Sequence, residues 1–137
     1  MATINMQIMR YINILDRASH VKTSNCFIYN NIIFFAVPKF MISKAIGRNA
    51  LNIRKIEEQT GKKIRIIEEP HGIESAERFI SDIVAPVGFK SIEIKDNCFV
   101  ITAGSSNKAA LLGRNKRRFD ELRQILLDNF GLDLKII

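Results

Sequence analysis

Two short stretches hold the residues of this chain best suited to grip something charged. Ala45-Ile46-Gly47-Arg48-Asn49-Ala50 returns 66 positions later as Leu111-Leu112-Gly113-Arg114-Asn115-Lys116. An arginine fork pairs bidentately with phosphate oxygens. A glycine beside it lets a sugar-phosphate backbone approach with no Cβ in the way. Where a helix follows such a turn, its free N–H groups and positive dipole end add to an anion site. Lys44 and Arg54 flank the first turn, and Lys108, Arg117 and Arg118 flank the second. The candidate binding set is therefore Lys44, Gly47, Arg48, Asn49, Ala50 and Arg54, with Lys108, Gly113, Arg114, Asn115, Lys116, Arg117 and Arg118.

Other chemistry finds few residues to work with. No Ser/His/Asp or Cys/His set and no carboxylate pair in a site context stands out, and His20 and His71 are isolated, so neither catalytic residues nor a metal site nor a cofactor is expected. Cys26 and Cys98 do not correspond under the 66-residue offset; both sit in apolar stretches and read as buried free thiols. The net charge of +7 points to an anionic partner. Between Lys39 and Arg65 eight basic residues face only Glu57 and Glu58, and Arg114, Lys116, Arg117 and Arg118 cluster at the matching place of the second copy. The longest apolar run, Ile32 to Val37, is too short to span a bilayer. With no basic-then-apolar leader at the start, a soluble cytoplasmic protein without a membrane partner is expected.

The elements that must position the two turns follow from the pattern around them. Apolar residues at 4, 8, 11, 12 and 15 space a helix that Thr3 would cap. Residues 25–29 and 32–37 are β-prone runs joined at Asn30-Asn31. Pro38 stops the second strand, 39–46 reads as a short helix, 51–60 as another ended by Gly61, and Ile64, Ile66 and Ile67 mark a third strand. Pro70-His71-Gly72 breaks the chain, giving domains at 1–70 and 73–137. The second copy repeats the order: a helix through Ala76, Phe79, Ile80 and Ile83, a strand over 89–95, a turn at Asp96-Asn97, a strand over 98–103, a helix from Ser105 as cap to Leu112, a helix through Phe119 to Phe130, and a strand over 132–137. From turn glycine to capping glycine the second copy is longer by four residues, about one helical turn. Copies this small are individually marginal, so they are expected to pack on one another.

A helix, an Ile-Gly-Arg turn of Gly-x-x-Gly type, a second helix and a strand resemble a KH domain. With a helix and hairpin placed first, the arrangement resembles the type II KH fold, α-β-β-α-α-β, and the resemblance implies an α+β chain of two tandem copies with three-stranded sheets covered by helices. Residues 45–54 with Thr60-Gly61-Lys62-Lys63-Ile64 are similar to the first KH domain of the NusA family, and residues 79–87 to the passage that opens its second. Nothing is left over for the other domains of the bacterial members, so the chain looks like the stand-alone archaeal form. The resemblance implies a non-catalytic protein that clamps the backbone of about four single-stranded RNA nucleotides at each turn. It implies a role in transcription elongation, termination or antitermination, near RNA polymerase or the nascent transcript complex.

The chain departs from the family at the fourth turn position, which is Ala50 in one copy and Lys116 in the other. Ala50 adds one methyl and is a mild change unless that position needs positive φ. Lys116 either obstructs the backbone path or contacts phosphate itself. On these grounds the first turn is expected to be the better RNA grip. The opposite reading is a pair of degenerate turns whose basic surface docks on the polymerase or the ribosome. Bases would lie over an apolar groove, for which Ile46, Ile53 and Ile64, and Leu112 and Phe119, are the candidates beside their role in the core. Phe34 and Phe35 face opposite ways and are expected in the core.

Overall fold

The computed structural model describes residues 5–137. The chain divides into two compact units between Pro70 and His71.

The first unit opens with helix α1 (Met6–Ser19). Its cap is Asn5, whose side-chain oxygen accepts from the Ile8 N–H at 2.8 Å; Thr3 lies outside the described residues. The helix passes Leu15 and ends at Ser19, whose hydroxyl donates to the Leu15 carbonyl and accepts from the Val21 N–H. Strands β1 (Asn25–Tyr29) and β2 (Ile32–Val37) pair antiparallel through Asn30 and Asn31, with φ of 51° and 61°. Two successive left-handed residues make the tight hairpin turn whose twist matches that of the strands, and asparagine tolerates that conformation well. The expected helix over 39–46 is split. Pro38 leads into a 3-10 turn at Lys39–Met41, with Met41 N–H donating to the Pro38 carbonyl, and only then comes α2 (Ile42–Ile46). Past the Gly47 turn come α3 (Leu51–Thr60) and β3 (Lys63–Glu68), which lies parallel to β2.

The three helices cover one face of the β1-β2-β3 sheet. Tyr11 and Leu15 from α1, Ile33, Phe35 and Val37 from β2, Ala45, Ile56 and Ile64 form that core. Each large apolar side chain so buried contributes on the order of 1.5–3 kcal/mol, the main force setting the helices on the sheet. Phe34 points to the other face, where its ring stacks on Phe27 at 5.3 Å. Both Phe34 and Phe35 are fully buried, as expected.

The second unit repeats the order: α4 (Ala76–Val84), β4 (Ser91–Lys95), β5 (Cys98–Thr102), α5 (Ser105–Leu112), α6 (Arg117–Phe130) and β6 (Asp133–Ile136). Its hairpin turns at Asp96 and Asn97, again with φ of 52° and 58°, and β6 is parallel to β5. Phe130 packs edge-on against both Phe79 and Phe99. Three expectations need correction. β4 begins at Ser91, opposite Thr102 where β5 ends, so Phe89 has no ladder partner. Gly104, with no side chain to accept a bond, stands at the α5 cap, and Ser105 is already helical. Cys26 is buried but Cys98 is only half-buried. The four extra residues all fall in α6, which has 14 residues against 10 in α3. Phe35 therefore pairs with Ile66 while its equivalent Ile101 pairs with Ile136, and the repeat offset becomes 70 in the last strand.

Among the described residues the architecture is thus α+β, two three-stranded sheets with six α-helices. Among the described residues, no helix is long and apolar enough to cross a membrane. No group of three His, Cys, Asp or Glu among them is placed to hold a metal ion.

Candidate nucleic-acid interface

The two Gly-Arg-Asn turns have one backbone conformation. Gly47 sits at φ 81°, ψ 166° and Gly113 at φ 72°, ψ 177°, a region essentially confined to glycine. Space forbids a side chain as well. A Cβ on Gly47 would lie 2.8 Å from Asn52 Cγ, and one on Gly113 would lie 2.5 Å from Arg118 Cγ; each would sit 3.0 Å from the same neighbour's backbone nitrogen. Asn49 and Asn115 follow at φ 55° and 56°, then Ala50 and Lys116 at φ 59° each. The fourth position does require positive φ. Ala50 is therefore not the mild change the sequence suggests, because a Cβ in the left-handed region costs about 1–2 kcal/mol.

Short hydrogen-bonded loops hold this shape. In the first turn Gly47 N–H donates to Ser43 O at 3.0 Å and Ala50 N–H to Gly47 O at 3.1 Å; in the second, Gly113 N–H reaches Ala109 O at 3.0 Å and Lys116 N–H reaches Gly113 O at 3.2 Å. Asn52, which the sequence reading did not single out, donates from Nδ2 to the Lys44 carbonyl at 3.1 Å and fills the space a Gly47 side chain would need. The Arg54 guanidinium donates to the Asn49 carbonyl and so braces the turn from α3. Its equivalent in the second unit is Asp120, whose carboxylate cannot donate such a bond.

Of the expected set, Lys44, Arg48, Asn49, Arg54, Lys108, Arg114, Asn115, Lys116 and Arg117 are exposed around their turns. Gly47, Ala50 and Gly113 are half-buried within them. Arg118 departs from the rest. Its guanidinium pairs with Glu121 at 3.2 Å, with side chains only 16% and 22% exposed, so the residue secures the start of α6.

In the second unit an open groove of about 380 Å³ runs beside the turn. Leu112, Phe119 and Ile136 form its apolar lining, and Lys108, Lys116 and Lys135 its polar one. Leu112 and Phe119 were expected there; Lys135 and Ile136 were not. Their signal was the four-residue excess, which aligns Lys135 with Arg65 in the first unit. Arg123 anchors the strand that carries them through Asp133, at 2.5 and 3.3 Å. That bond, with the Leu134 N–H at 2.7 Å, holds the Asp133 carboxyl below its ordinary value. In the first unit Ile64 belongs to the core, while Ile46 and Ile53 are half-buried.

A hairpin, two helices around a Gly-x-x-x turn, and a closing parallel strand are features of the KH type, and residues 32–81 match the KH domain family. That match covers β2, both helices of the first turn and β3, and runs into α4. The chain is also similar to two proteins named probable transcription termination protein NusA. The one from Halococcus morrhuae is 20% identical over 96% of this chain and 94% of its own length. The one from Methanocaldococcus jannaschii is 25% identical over 84% of this chain and 63% of its own length. The crystal structure of APE1850 has the same fold, with a TM-score of 0.67 at 24% identity over 98% of this chain and all of that one.

Proposed function

We propose that this chain is a non-catalytic, single-stranded RNA-binding protein of NusA-like type, built from two tandem type II KH domains, residues 1–70 and 73–137. The observation that carries the reading is the pair of turns. Both hold glycine, arginine and asparagine in one backbone conformation, with Arg48 and Arg114 exposed and a helix starting directly behind. That geometry presents arginine forks and free helix N–H groups to successive phosphates. An apolar groove beside the turn receives unstacked bases, the mode in which RNA single strands are read. The similarity to proteins named for transcription termination supports a place on the transcript during elongation or termination, beside RNA polymerase.

Binding of a labelled, unstructured RNA oligonucleotide to the full chain tests this. Arg48→Glu weakens binding, and Arg114→Glu adds to the loss as both turns hold one strand. Wild-type affinity in the folded double variant would remove the turn-clamp reading and leave the protein-docking one.

A further inference from the structure

The two units share a turn but place their remaining cations differently. In the first, Lys44, Arg54 and Lys55 lie exposed on the helices that flank the turn. In the second, the equivalent positions are Ala110, Asp120 and Glu121. The groove shows the reverse pattern. Lys108, Lys116 and Lys135 line it in the second unit. Their first-unit equivalents are Ile42, Ala50 and Arg65; Ile42 packs against the core, and Arg65 lies over the buried Phe34 ring at 5.9 Å. So of the three positions the first unit keeps a cation at one, Arg65.

Charge elsewhere in the second unit sharpens the contrast. From residue 71 onward ten Lys and Arg stand against nine Asp and Glu, so the unit is nearly neutral as a whole. Four of those cations are engaged by acids outside the groove: Arg78 by Asp82, Lys95 by Glu93, Arg118 by Glu121 and Arg123 by Asp133. Of the six cations left over, Lys108, Arg114, Lys116, Arg117 and Lys135 lie at the second turn and its groove, and Lys90 just before β4. A near-neutral body with a basic, apolar-floored groove attracts a polyanion locally rather than by a diffuse field, whose reach in physiological salt is only about 8 Å.

We propose that the groove of the second unit is the principal seat of the RNA strand. Lys108, Lys116 and Lys135 contact consecutive phosphates there, while a base lies over Leu112, Phe119 and Ile136. Lys116, the residue in place of the family glycine, is then a phosphate ligand and not an obstruction. The first turn, with its charge on the helix surfaces, holds a flanking part of the strand. This rests on the proposed RNA binding, and it inverts the expectation from sequence that the first turn grips better.

The test uses the full chain and a fluorescent single-stranded RNA 12-mer, with affinity measured between 0.05 and 0.5 M salt. Lys108→Gln/Lys116→Gln/Lys135→Gln is compared with Lys39→Gln/Lys44→Gln/Lys55→Gln, which removes the same charge from the first unit and leaves the Arg54 brace in place. Three lost phosphate contacts flatten the slope of log K against log salt by about 2, at roughly 0.7 per contact, and weaken binding on the order of 10- to 100-fold. The groove triple is expected to do this, and the helix-face triple to lose less on both counts. Equal losses, or a larger loss in the helix-face triple, would overturn the assignment while leaving RNA binding standing. A wild-type chain that binds no RNA would instead overturn the proposed function itself. Circular-dichroism melts confirm that each variant is folded.

Discussion

Gly47 and Gly113 are constrained twice, by dihedral and by space, and the residue three places on is constrained by dihedral alone. The difference predicts opposite effects of substitution. Gly47→Ala must hold a Cβ in a region barred to it and against Asn52, so a loss of about 2 kcal/mol or more is expected. Ala50→Gly relieves left-handed strain of about 1–2 kcal/mol, offset by about 0.4–1 kcal/mol of extra freedom in the unfolded chain. A net gain of roughly 0.5–1 kcal/mol should appear as a higher urea midpoint with an unchanged slope. A lower midpoint for Ala50→Gly would contradict the left-handed assignment. The identity of the turn residues was legible in the sequence because the motif recurs. Their bracing was not: the Arg54 bond to the Asn49 carbonyl and the Arg118 pairing with Glu121 depend on side-chain direction, which spacing does not reveal.

The elements with strong local chemistry stand where the sequence puts them. Asn30-Asn31 and Asp96-Asn97 turn both hairpins, and the α3 boundaries, Leu51 and Thr60, match those read from pattern and the capping glycine. Elements set by pairing shifted instead: β4 starts only where β5 can partner it. The groove needs β6, which enters through parallel pairing with a strand some 35 residues earlier, so Lys135 and Ile136 carry no local mark of it in the sequence. β1 carries a testable consequence of burial. Cys26 is shielded in the first core, which pushes its thiol from 9.0 up to about 12. The raised value favours the neutral thiol in the folded state. Its contribution is therefore complete below pH 9 and is lost as pH climbs from 9 toward 12, by up to about 1.4 kcal/mol per pH unit. Urea midpoints at pH 8 and pH 10.5 should fall more for the wild type than for Cys26→Ala. Identical falls would mean that Cys26 is not shielded as the fold requires.

At the scale of the molecule, charge points to an anionic partner, and under the proposed function the repeat marks the two places that hold it. The net charge of +7 is unevenly shared: eleven Lys and Arg against five Asp and Glu up to Pro70, near balance beyond. Composition alone therefore favours the first unit as the binding half. Only the structure shows that the second unit engages four of its cations with acids and leaves lysines at its groove. The central claim is that both Gly-Arg-Asn turns clamp the phosphates of one RNA strand. Its most direct test is the salt dependence of RNA affinity for the wild type and for Arg48→Glu/Arg114→Glu side by side. The account predicts a linear fall of log K with log salt for the wild type, and for the folded double variant weaker binding with a slope flatter by about 1.4 or more, the share of two phosphate contacts. The same affinity and the same slope in both proteins would contradict it.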